Sequence, residues 1–276
     1  MRTWFITGAS RGFGALIAQE ALEKGDAVVA TARDPKSITK RLGNHPNLLA
    51  VALDVTQESQ AHAAVRAAVE RFGQIDVLVN NAGYGLLGAV EEANAEEIEA
   101  VYRTNVFGLL AVTRAVLPHM RRQRSGRVFN LSSGGGYRAI AGWGIYCSTK
   151  FAVEGLSEAL AEELAPLGIY VTAIEPGYFR TDFLDGTSLS TVPAVIDDYH
   201  KTSGAMRTLA VDVNHQQPGD PAKLAKVLVA FADAPNPPVR LPLGSDTLGM
   251  IEKKNAQTAA ILSAWRSTAV STDFAS

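Results

Sequence analysis

Cysteine is almost absent from this chain of 276 residues, which contains a single one, Cys147. One cysteine cannot form an intrachain disulfide, so the sequence favours a reducing compartment. We expect Cys147 to be a small, half-buried packing residue rather than a reactive thiol. Net charge is also small, because 26 Lys and Arg nearly offset 28 Asp and Glu. This balance gives no reason to expect nucleic acid or an acidic membrane as a partner.

Long hydrophobic runs are missing as well. The longest, residues 106–117, is interrupted by Arg114 and is too short to span a bilayer. Residues 1–6 enter an apolar strand at once and lack the architecture of a signal peptide. We therefore expect a cytoplasmic protein with no membrane partner.

Side chains that hold metals or build hydrolase sites show no matching pattern. No pair of the five His has metal-ligand spacing, and we interpret these His and the acidic pair at 197–198 as surface or packing residues. Ser132 and Ser133 together with His200 could suggest a hydrolase, but no Gly-x-Ser-x-Gly elbow surrounds either serine. The sequence therefore predicts neither a metal site nor a hydrolase.

The sequence does contain a regular alternation of short β-type runs and longer helical patterns. The runs are continuously hydrophobic, which is typical of strands buried on both faces in a parallel sheet. This alternation predicts an α/β fold, a Rossmann-type, doubly wound, mostly parallel sheet flanked by helices on both faces, in a single domain over residues 1–276. The predicted strands are 3–7, 27–31, 48–53, 75–79, 127–131, 170–174 and 239–243, and the predicted helices are 13–24, 57–72, 95–123, 146–165, 221–232 and 246–265.

The regular pattern loosens after residue 177. Residues 180–220 are predicted to be irregular, with Ser, Thr, Asp and Gly among scattered apolar residues. Long irregular insertions in compact domains are often lids or binding loops, so we expect a substrate lid at about 180–220. A C-terminal helical extension is expected at about 246–276.

Residues 7–14 join the first predicted strand to the first predicted helix. Their glycines permit a tight turn and let backbone N–H groups approach a pyrophosphate, whose charge the helix N-terminus favours. Glycine clusters also occur in ordinary turns, but the position between a strand and a helix favours dinucleotide binding. The predicted cofactor contacts in this loop are Gly8, Ser10, Arg11, Gly12, Phe13 and Gly14.

The end of the second strand bears on the choice of dinucleotide. An NAD site usually has a carboxylate there to hold the ribose diol, whereas Arg33 can bind a 2′-phosphate. Arg11 in the glycine loop could share this role. We therefore favour NADP(H). Asp34 keeps NAD(H) as the less favoured alternative, and both arginines could instead be solvated surface residues.

Two further strand ends belong to the same predicted edge. Asp54 and Val55 follow the third strand, where an adenine ring should pass. Asn81, Ala82 and Gly83 follow the fourth strand, and the glycine permits close backbone approach. Turn chemistry alone would also explain these residue types.

Tyr146 and Lys150 are one helical turn apart and therefore lie on the same face of a predicted helix. A phenol is a poor acid, with a pKa of about 10, and a nearby ammonium lowers that value. A tyrosine tuned in this way can exchange a proton with a carbonyl or alcohol oxygen. On spacing alone, an amphipathic helix with one aromatic residue and one solvated lysine is an equally acceptable interpretation.

Taken in chain order, these motifs resemble those of the short-chain dehydrogenase/reductase family, in its single-domain branch. The similarity covers about residues 1–181 and continues more weakly to about 245. The matching positions are the glycine loop 7–14, Asp54, the turn 80–83, Asn105, Ser133, Tyr146 with Lys150, and Pro176 and Gly177 through Thr181.

The resemblance implies a catalytic tetrad of Asn105, Ser133, Tyr146 and Lys150. Tyr146 would be the acid in carbonyl reduction and the base in alcohol oxidation, and Ser133 would bind the substrate oxygen. Lys150 would lower the pKa of Tyr146 and hold the nicotinamide ribose, and Asn105 would anchor a water that relays protons. The remaining implied cofactor contacts are Pro176, Gly177, Phe179 and Thr181.

The substrate should lie beyond the carboxyl ends of the strands, as in other open α/β sheets. The segments that reach this edge are rich in aromatic residues and contain no cluster of Arg or Lys. They favour a hydrophobic ketone or aldehyde over a carboxylate or phosphate substrate. The candidate substrate contacts are Tyr84, Tyr137, Trp143, Tyr178 and Phe183.

Two other functions stay open. A non-catalytic NADP-binding sensor would use the same scaffold, although all four implied catalytic positions are filled here. An epimerase or dehydratase of a related fold usually has the spacing Gly-x-x-Gly-x-x-Gly, unlike Gly8, Gly12 and Gly14. The resemblance also implies a homodimer or homotetramer that pairs through the helices at 95–123 and 146–165.

Overall fold

The computed structural model describes residues 1–274, and a parallel sheet of seven strands forms its centre. The strand order is β3-β2-β1-β4-β6-β7-β9, and β5 and β8 form a separate parallel pair. The predicted α/β fold class is confirmed. The strands within the described residues are β1 (Thr3–Ile6), β2 (Ala27–Ala32), β3 (Leu48–Ala52), β4 (Val77–Asn80), β5 (Gly85–Leu87), β6 (Gly126–Leu131), β7 (Ile169–Pro176), β8 (Leu189–Thr191) and β9 (Arg240–Leu243).

Helices cover both faces of the sheet. They are α1 (Gly12–Glu23), α2 (Lys36–Leu42), α3 (Glu58–Phe72), α4 (Ala95–Tyr102), α5 (Leu109–Gln123), α6 (Gly144–Leu164), α7 (Ala205–Asp212), α8 (Pro221–Phe231) and α9 (Ser245–Val270). A π-helical turn, Arg103–Gly108, joins α4 to α5. None of the helices within residues 1–274 combines the length and hydrophobicity that crossing a bilayer requires.

The side chains of β1 point alternately to the two faces of the sheet, and the buried core accordingly has two layers. Trp4 and Ile6 pack against α1 and α8 on one face, whereas Phe5 packs against α3 and α5 on the other. All three side chains are fully buried, as the two-residue period of a strand between two helical layers requires. Packing on both faces holds the sheet rigidly, so a binding site can form at the carboxyl ends of its strands.

Local capping fixes two helix starts. Asn94 and Glu97 form a capping box at α4, in which the Glu97 N–H donates to Asn94 Oδ1 at 2.8 Å and the Asn94 N–H donates to Glu97 Oε2 at 3.0 Å. At α8, Pro221 occupies the first turn and Asp220 Oδ1 accepts from the Ala222 N–H at 2.9 Å. This helix begins where the sequence predicts it.

Helices α2 and α7 and strands β5 and β8 were not predicted from the sequence. Helix α2 was not expected, because its seven residues bury only Ile38 and so carry no periodic apolar pattern. The segment 180–220, expected to be irregular, contains β8 and α7. Strand β8 pairs with β5, so its structure comes from a distant partner and not from a local signal.

Candidate active site

The glycine loop makes a turn that side chains would obstruct. Gly8 and Gly12 have φ values of +65° and +55°, in the left-handed region that favours glycine. A Cβ at Gly14 would lie 2.5 Å from the Gly8 carbonyl oxygen, so the loop and the start of α1 touch directly. The first turn of α1 contains no acidic residue, which leaves its N-terminus able to attract an anion.

Asn81 ties the glycine loop to the end of β4. Its side-chain amide donates to the carbonyl oxygens of Thr7 at 2.9 Å and Gly8 at 3.0 Å. The Thr7 hydroxyl in turn accepts from the Ala82 N–H at 3.0 Å. The predicted turn after the fourth strand is therefore a brace for the glycine loop.

A cleft of about 990 Å³ runs along the carboxyl edge of the sheet. It brings together most of the predicted site residues, while Gly14, Asn105 and Tyr137 lie outside its lining. The predicted residues that line it are Gly8, Ser10, Arg11, Gly12, Phe13, Arg33, Asp54, Val55, Asn81, Ala82, Gly83, Tyr84, Ser133, Trp143, Tyr146, Lys150, Pro176, Gly177, Tyr178, Phe179, Thr181 and Phe183.

Tyr146 and Lys150 lie in the first two turns of α6 at the wall of this cleft, and both are almost wholly buried. The Lys150 ammonium donates to the Leu131 carbonyl oxygen at 2.6 Å and lies 5.7 Å from the centre of the Tyr146 ring. The lysine is therefore anchored to the end of β6 and is not a solvated surface residue.

Burial shifts the ionisation of both side chains. Burial raises the pKa of Tyr146 above the ordinary phenol value, and a hydrogen bond with Ser133 acts in the opposite direction. Burial lowers the pKa of Lys150 to about 8, and the charge of Glu154 opposes that change. Tyr146 is therefore a protonated phenol at neutral pH, and the expected lowering of its pKa by Lys150 is not found, because burial has the largest effect.

Ser133 follows β6 in an extended conformation, and a run of three glycines comes after it. Its hydroxyl oxygen accepts from the Gly135 N–H at 3.0 Å, which fixes the side chain at the start of the turn. A Cβ at Gly135 would lie 3.4 Å from this hydroxyl and 3.8 Å from the Tyr146 ring, and Ser133 acts to lower the pKa of Tyr146. Ser133 and Tyr146 thus present two hydroxyl groups to one region of the cleft.

Asn105 lies in the π-helical turn, a distortion that often marks functional sites. Its amide nitrogen donates to the Tyr84 carbonyl at 2.9 Å and to the Thr149 hydroxyl at 3.1 Å, and its Oδ1 accepts from the Tyr84 N–H at 3.1 Å. The side chain is thus bonded on both ends. Its implied role in anchoring a water remains a prediction.

The two arginines proposed for a 2′-phosphate have different surroundings. Arg11 reaches over the cleft and donates to the Thr187 carbonyl at 2.5 Å and the Ser188 hydroxyl at 2.9 Å. Arg33 is exposed and makes no side-chain hydrogen bond or ion pair with any other residue among 1–274. Arg33 is therefore the arginine that is available to an anion at this end of the cleft.

An aromatic cluster forms the opposite end of the cleft. Trp143, Tyr146 and Phe183 lie together, with ring centres 5.6 Å apart for Tyr146 and Phe183 and 5.7 Å apart for Trp143 and Tyr146. Tyr137 is not part of this wall. Its hydroxyl bonds to Asn255 and its ring lies under the Arg240 guanidinium at 5.2 Å, because the glycine run after Ser133 directs it toward α9.

Helix α9 supplies cleft residues that the sequence reasoning missed. Thr247 and Met250 line the cleft, and Asp246 Oδ2 accepts from the Tyr178 N–H at 2.7 Å. Two glycines in the sequence reflect this packing, because a side chain at Gly134 would collide with Met250 and one at Gly177 with Asp246. Cys147 also lines the cleft, and burial raises the pKa of its thiol.

The sheet topology, the glycine turn and the cleft define a class: a Rossmann-type, doubly wound α/β protein with its site at the carboxyl edge. The chain belongs to the short chain dehydrogenase family, whose sequence model matches residues 2–190. The family resemblance found in the sequence is thereby confirmed.

Two curated relatives are oxidoreductases of similar length. Oxidoreductase BOA17 of Botryotinia fuckeliana is 39% identical over 267 residues, covering 96% of this chain and 97% of the relative. The 3-ketodihydrosphingosine reductase of Bacteroides thetaiotaomicron is 38% identical over 240 residues, covering 87% of this chain and 86% of the relative.

Solved structures of similar proteins share the fold of this chain. A short-chain dehydrogenase from Streptomyces avermitilis has a TM-score of 0.92 and 38% identity, covering 99% of this chain and 100% of that one. A 3-ketoacyl-(acyl-carrier-protein) reductase from Brucella melitensis, complexed with NADH, has a TM-score of 0.73 and 29% identity, covering 88% and 96%. The structure of ElxO with NADP bound has a TM-score of 0.74 and 28% identity, covering 90% and 99%.

Proposed function

We propose that this protein is an NADP(H)-dependent oxidoreductase that interconverts a ketone or aldehyde and the corresponding alcohol, on a hydrophobic substrate. The observation that carries the proposal is the arrangement around Tyr146. A buried phenol faces the cleft beside the Ser133 hydroxyl, and a buried ammonium, Lys150, lies one helical turn behind it. A proton donor and a hydrogen-bond donor at one point suit an oxygen atom that gains charge during reaction.

The residues present fit a dinucleotide along the cleft. The tight glycine turn at the N-terminus of α1 suits a pyrophosphate. Lys150, whose ammonium lies in the cleft lining at the end of β6, would hold a ribose hydroxyl. When bound, the nicotinamide supplies or accepts the hydride. Relatives of known structure hold NADH in one case and NADP in another, so the preference for NADP(H) rests on Arg33.

In carbonyl reduction, Tyr146 gives its phenolic proton to the substrate oxygen while Ser133 donates a hydrogen bond to the same atom. Tyr146 holds its proton at neutral pH, as a proton donor must before reaction. In alcohol oxidation, Tyr146 must first lose the proton, and the Lys150 charge favours that phenolate.

A hydrophobic substrate is supported by the wall of the cleft beside Tyr146. Trp143 and Phe183 stack with ring planes 22° apart, and Leu184 and Leu189 extend the same apolar surface. The relative from Bacteroides thetaiotaomicron is named as a reductase of a 3-keto compound, which agrees with a ketone substrate. Apolar and steroid-like ketones and aldehydes are therefore the first compounds to test.

The test is a screen of neutral carbonyl compounds, with NADPH and NADH in parallel, followed by the loss of reduced-cofactor absorbance. We expect turnover with NADPH that is lost in Tyr146→Phe. Turnover with NADH alone would overturn the cofactor assignment. Tight NADP binding without turnover of any compound would instead favour a non-catalytic sensor.

We also propose a cytoplasmic homodimer or homotetramer, paired through α4–α5 and α6. Phe107 in the π-helical turn is 60% exposed and Phe151 on α6 is 45% exposed, so each of these elements offers apolar surface that pairing would bury. Sedimentation velocity should give at least twice the monomer mass. A Phe107→Ser variant should shift this mass toward that of the monomer.

A further inference from the structure

Two acidic side chains are buried behind Lys150, on the side away from the cleft. Glu154 lies one turn further along α6 and is 2% exposed, and Glu175 lies on β7 and is 1% exposed. Neither residue lines the cleft. Charged groups this deeply buried require partners, because the loss of hydration is costly.

Arg240 on β9 is the cation shared by these acids. Its Nε lies 3.6 Å from Glu154 Oε2 and its Nη1 lies 3.5 Å from Glu175 Oε1. Its shortest ion pair, 2.8 Å, goes instead to the exposed Glu158. One guanidinium divided among three carboxyl groups cannot neutralise both buried ones.

The carboxyl oxygens themselves point to a shared proton. Among residues 1–274, Glu154 Oε1 and Oε2 and Glu175 Oε1 accept no well-formed hydrogen bond, and the Ser132 hydroxyl is a donor close enough to lower the pKa of Glu154. A carboxylate only accepts hydrogen bonds, whereas a protonated carboxyl group also donates one. A single proton held between the two acids supplies the missing donor and relieves the repulsion between like charges.

The space for this pair is made by Gly136, in the glycine run that follows Ser133. A Cβ at Gly136 would lie 3.0 Å from Glu154 Cγ, 3.1 Å from Glu154 Oε1 and 2.5 Å from Ser132 Oγ. The loop that carries Ser133 is therefore packed directly on Glu154. Glu154 is thus part of α6, the helix that carries Lys150, and it packs against the loop that carries Ser133.

We propose that Glu154 is the buried counter-charge of Lys150, and that Glu175 and Arg240 hold Glu154 in place, so that all three are positioning residues for Lys150. This inference rests on the proposed role of Lys150. With one proton the pair carries a single negative charge, and release of that proton to solvent makes it two. No other bond changes.

The ionisation of these groups agrees with that arrangement. Burial, together with repulsion from Glu154, raises the pKa of Glu175 to about 7, and burial also raises the pKa of Glu154. The negative charge of Glu154 raises the pKa of Lys150 against the effect of burial. The titratable and charged groups around Glu154 come from three elements: Lys150 and Glu158 of α6, Glu175 of β7 and Arg240 of β9. Tyr137, from the segment after β6, lies against Arg240.

The two acids should therefore have different effects on Lys150. Glu154→Gln removes the negative charge one turn along α6 from Lys150, so the deprotonation midpoint of Lys150 should move toward acid by about one pH unit. Glu175→Gln should abolish the carboxyl titration near pH 7 while leaving the Lys150 midpoint close to about 8. If both acids had a purely structural role, Glu154→Gln and Glu175→Gln would lose equal stability, and neither the Lys150 midpoint nor the carboxyl midpoint would shift.

The experiment measures the Lys150 midpoint directly, by NMR of the cofactor-free full-length protein with ¹³C-labelled lysine, with Lys150→Met assigning the signal. Infrared difference spectra between pH 5 and pH 9 follow the carboxyl pair. The matched control is Glu158→Gln, which makes the same chemical change on the same helix and at the same arginine but at an exposed site. The pH profile of kcat/KM provides the kinetic readout, and its basic limb should shift in Glu154→Gln only.

An unchanged Lys150 midpoint in Glu154→Gln would overturn the inference, and so would an equal shift in Glu158→Gln. If Glu154→Gln does not fold, Glu154→Asp and Glu175→Gln decide: the first must keep the wild-type midpoint and the second must lose the carboxyl titration. Because NMR needs no substrate, a chain that turns over no carbonyl compound yet shows these shifts would refute the proposed function alone.

Discussion

One buried ion pair holds the segment that follows β8 against the body of the protein, and its removal should open that segment. Glu92, between β5 and α4, has a side chain that is 2% exposed. It accepts hydrogen bonds from the Ala89 N–H at 2.7 Å, the Ile196 N–H at 2.9 Å and Arg207 Nη2 at 2.8 Å. Arg207 also donates to the Val192 carbonyl at 2.7 Å.

The perturbation is Arg207→Met, which leaves the Glu92 carboxylate buried without its cation. Removing one partner of a buried ion pair costs about 3–5 kcal/mol. If the cost is local, the open population of residues 192–207 should rise by at least about 100-fold, since each 1.4 kcal/mol corresponds to a factor of ten. The matched control is Arg114→Met, because the Arg114–Glu58 pair at 3.1 Å is exposed and should contribute less than about 1 kcal/mol.

The assay is amide hydrogen exchange at Val192 and Ile196, whose N–H groups donate to the Leu87 carbonyl at 2.9 Å and to Glu92. Exchange there should accelerate by at least about 100-fold in Arg207→Met, while exchange in β1 stays at the wild-type rate. Equal exchange rates at Val192 in the variant and the wild type would refute the reasoning.

The same pair has a defined pH dependence. Hydrogen bonding from the Ile196 N–H lowers the pKa of Glu92 to about 2, and the bond from Arg207 acts in the same direction. A depressed carboxyl pKa contributes stability that is present above the unfolded value and is lost as pH falls toward the folded value. Protection of Ile196 in the wild type should therefore persist at pH 5 and disappear only as the pH approaches about 2.

Three further predictions concern the cleft. Tyr146→Phe should lower kcat by about 10²- to 10⁴-fold while NADPH binding, measured by fluorescence titration, is retained, and an unchanged kcat would exclude Tyr146 as the proton donor. Gly14→Ala should destabilise the fold by about 1–3 kcal/mol and weaken cofactor binding, because its Cβ would meet the Gly8 carbonyl; an unaltered melting temperature and Kd would contradict that packing. Arg33→Ala should raise the KM for NADPH about tenfold and leave the KM for NADH unchanged, and equal changes for both cofactors would count against 2′-phosphate recognition.

The sheet and most of the candidate site could be predicted because their signals are local. Strands such as β2 are buried along their whole length, and a continuous apolar run in the sequence marks them directly. The glycine loop and the Tyr146–Lys150 spacing are likewise contained within a few residues. The topology then brings the strand ends to one edge.

The missed features depend on contacts between distant parts of the chain. Strands β5 and β8 have three residues each and are paired across about a hundred positions, so neither has a pattern of its own. Met250 reaches the cleft only because α9 returns across the glycine run. Tyr137 was expected at the substrate, but Arg240 and Asn255 hold it on the far side, and neither residue is near it in sequence.

At each of the three glycines after Ser133, a different neighbouring residue limits the size of the side chain that the loop could carry. A side chain at Gly134 would meet Met250 of α9, one at Gly135 would come within 3.1 Å of Cys147 Sγ, and one at Gly136 would meet Glu154. Single alanine substitutions would therefore displace three different parts of the structure. Gly134→Ala would displace the cleft wall, Gly135→Ala the helix behind Tyr146, and Gly136→Ala the buried acids. Cys147 sets one of these three distances by its size.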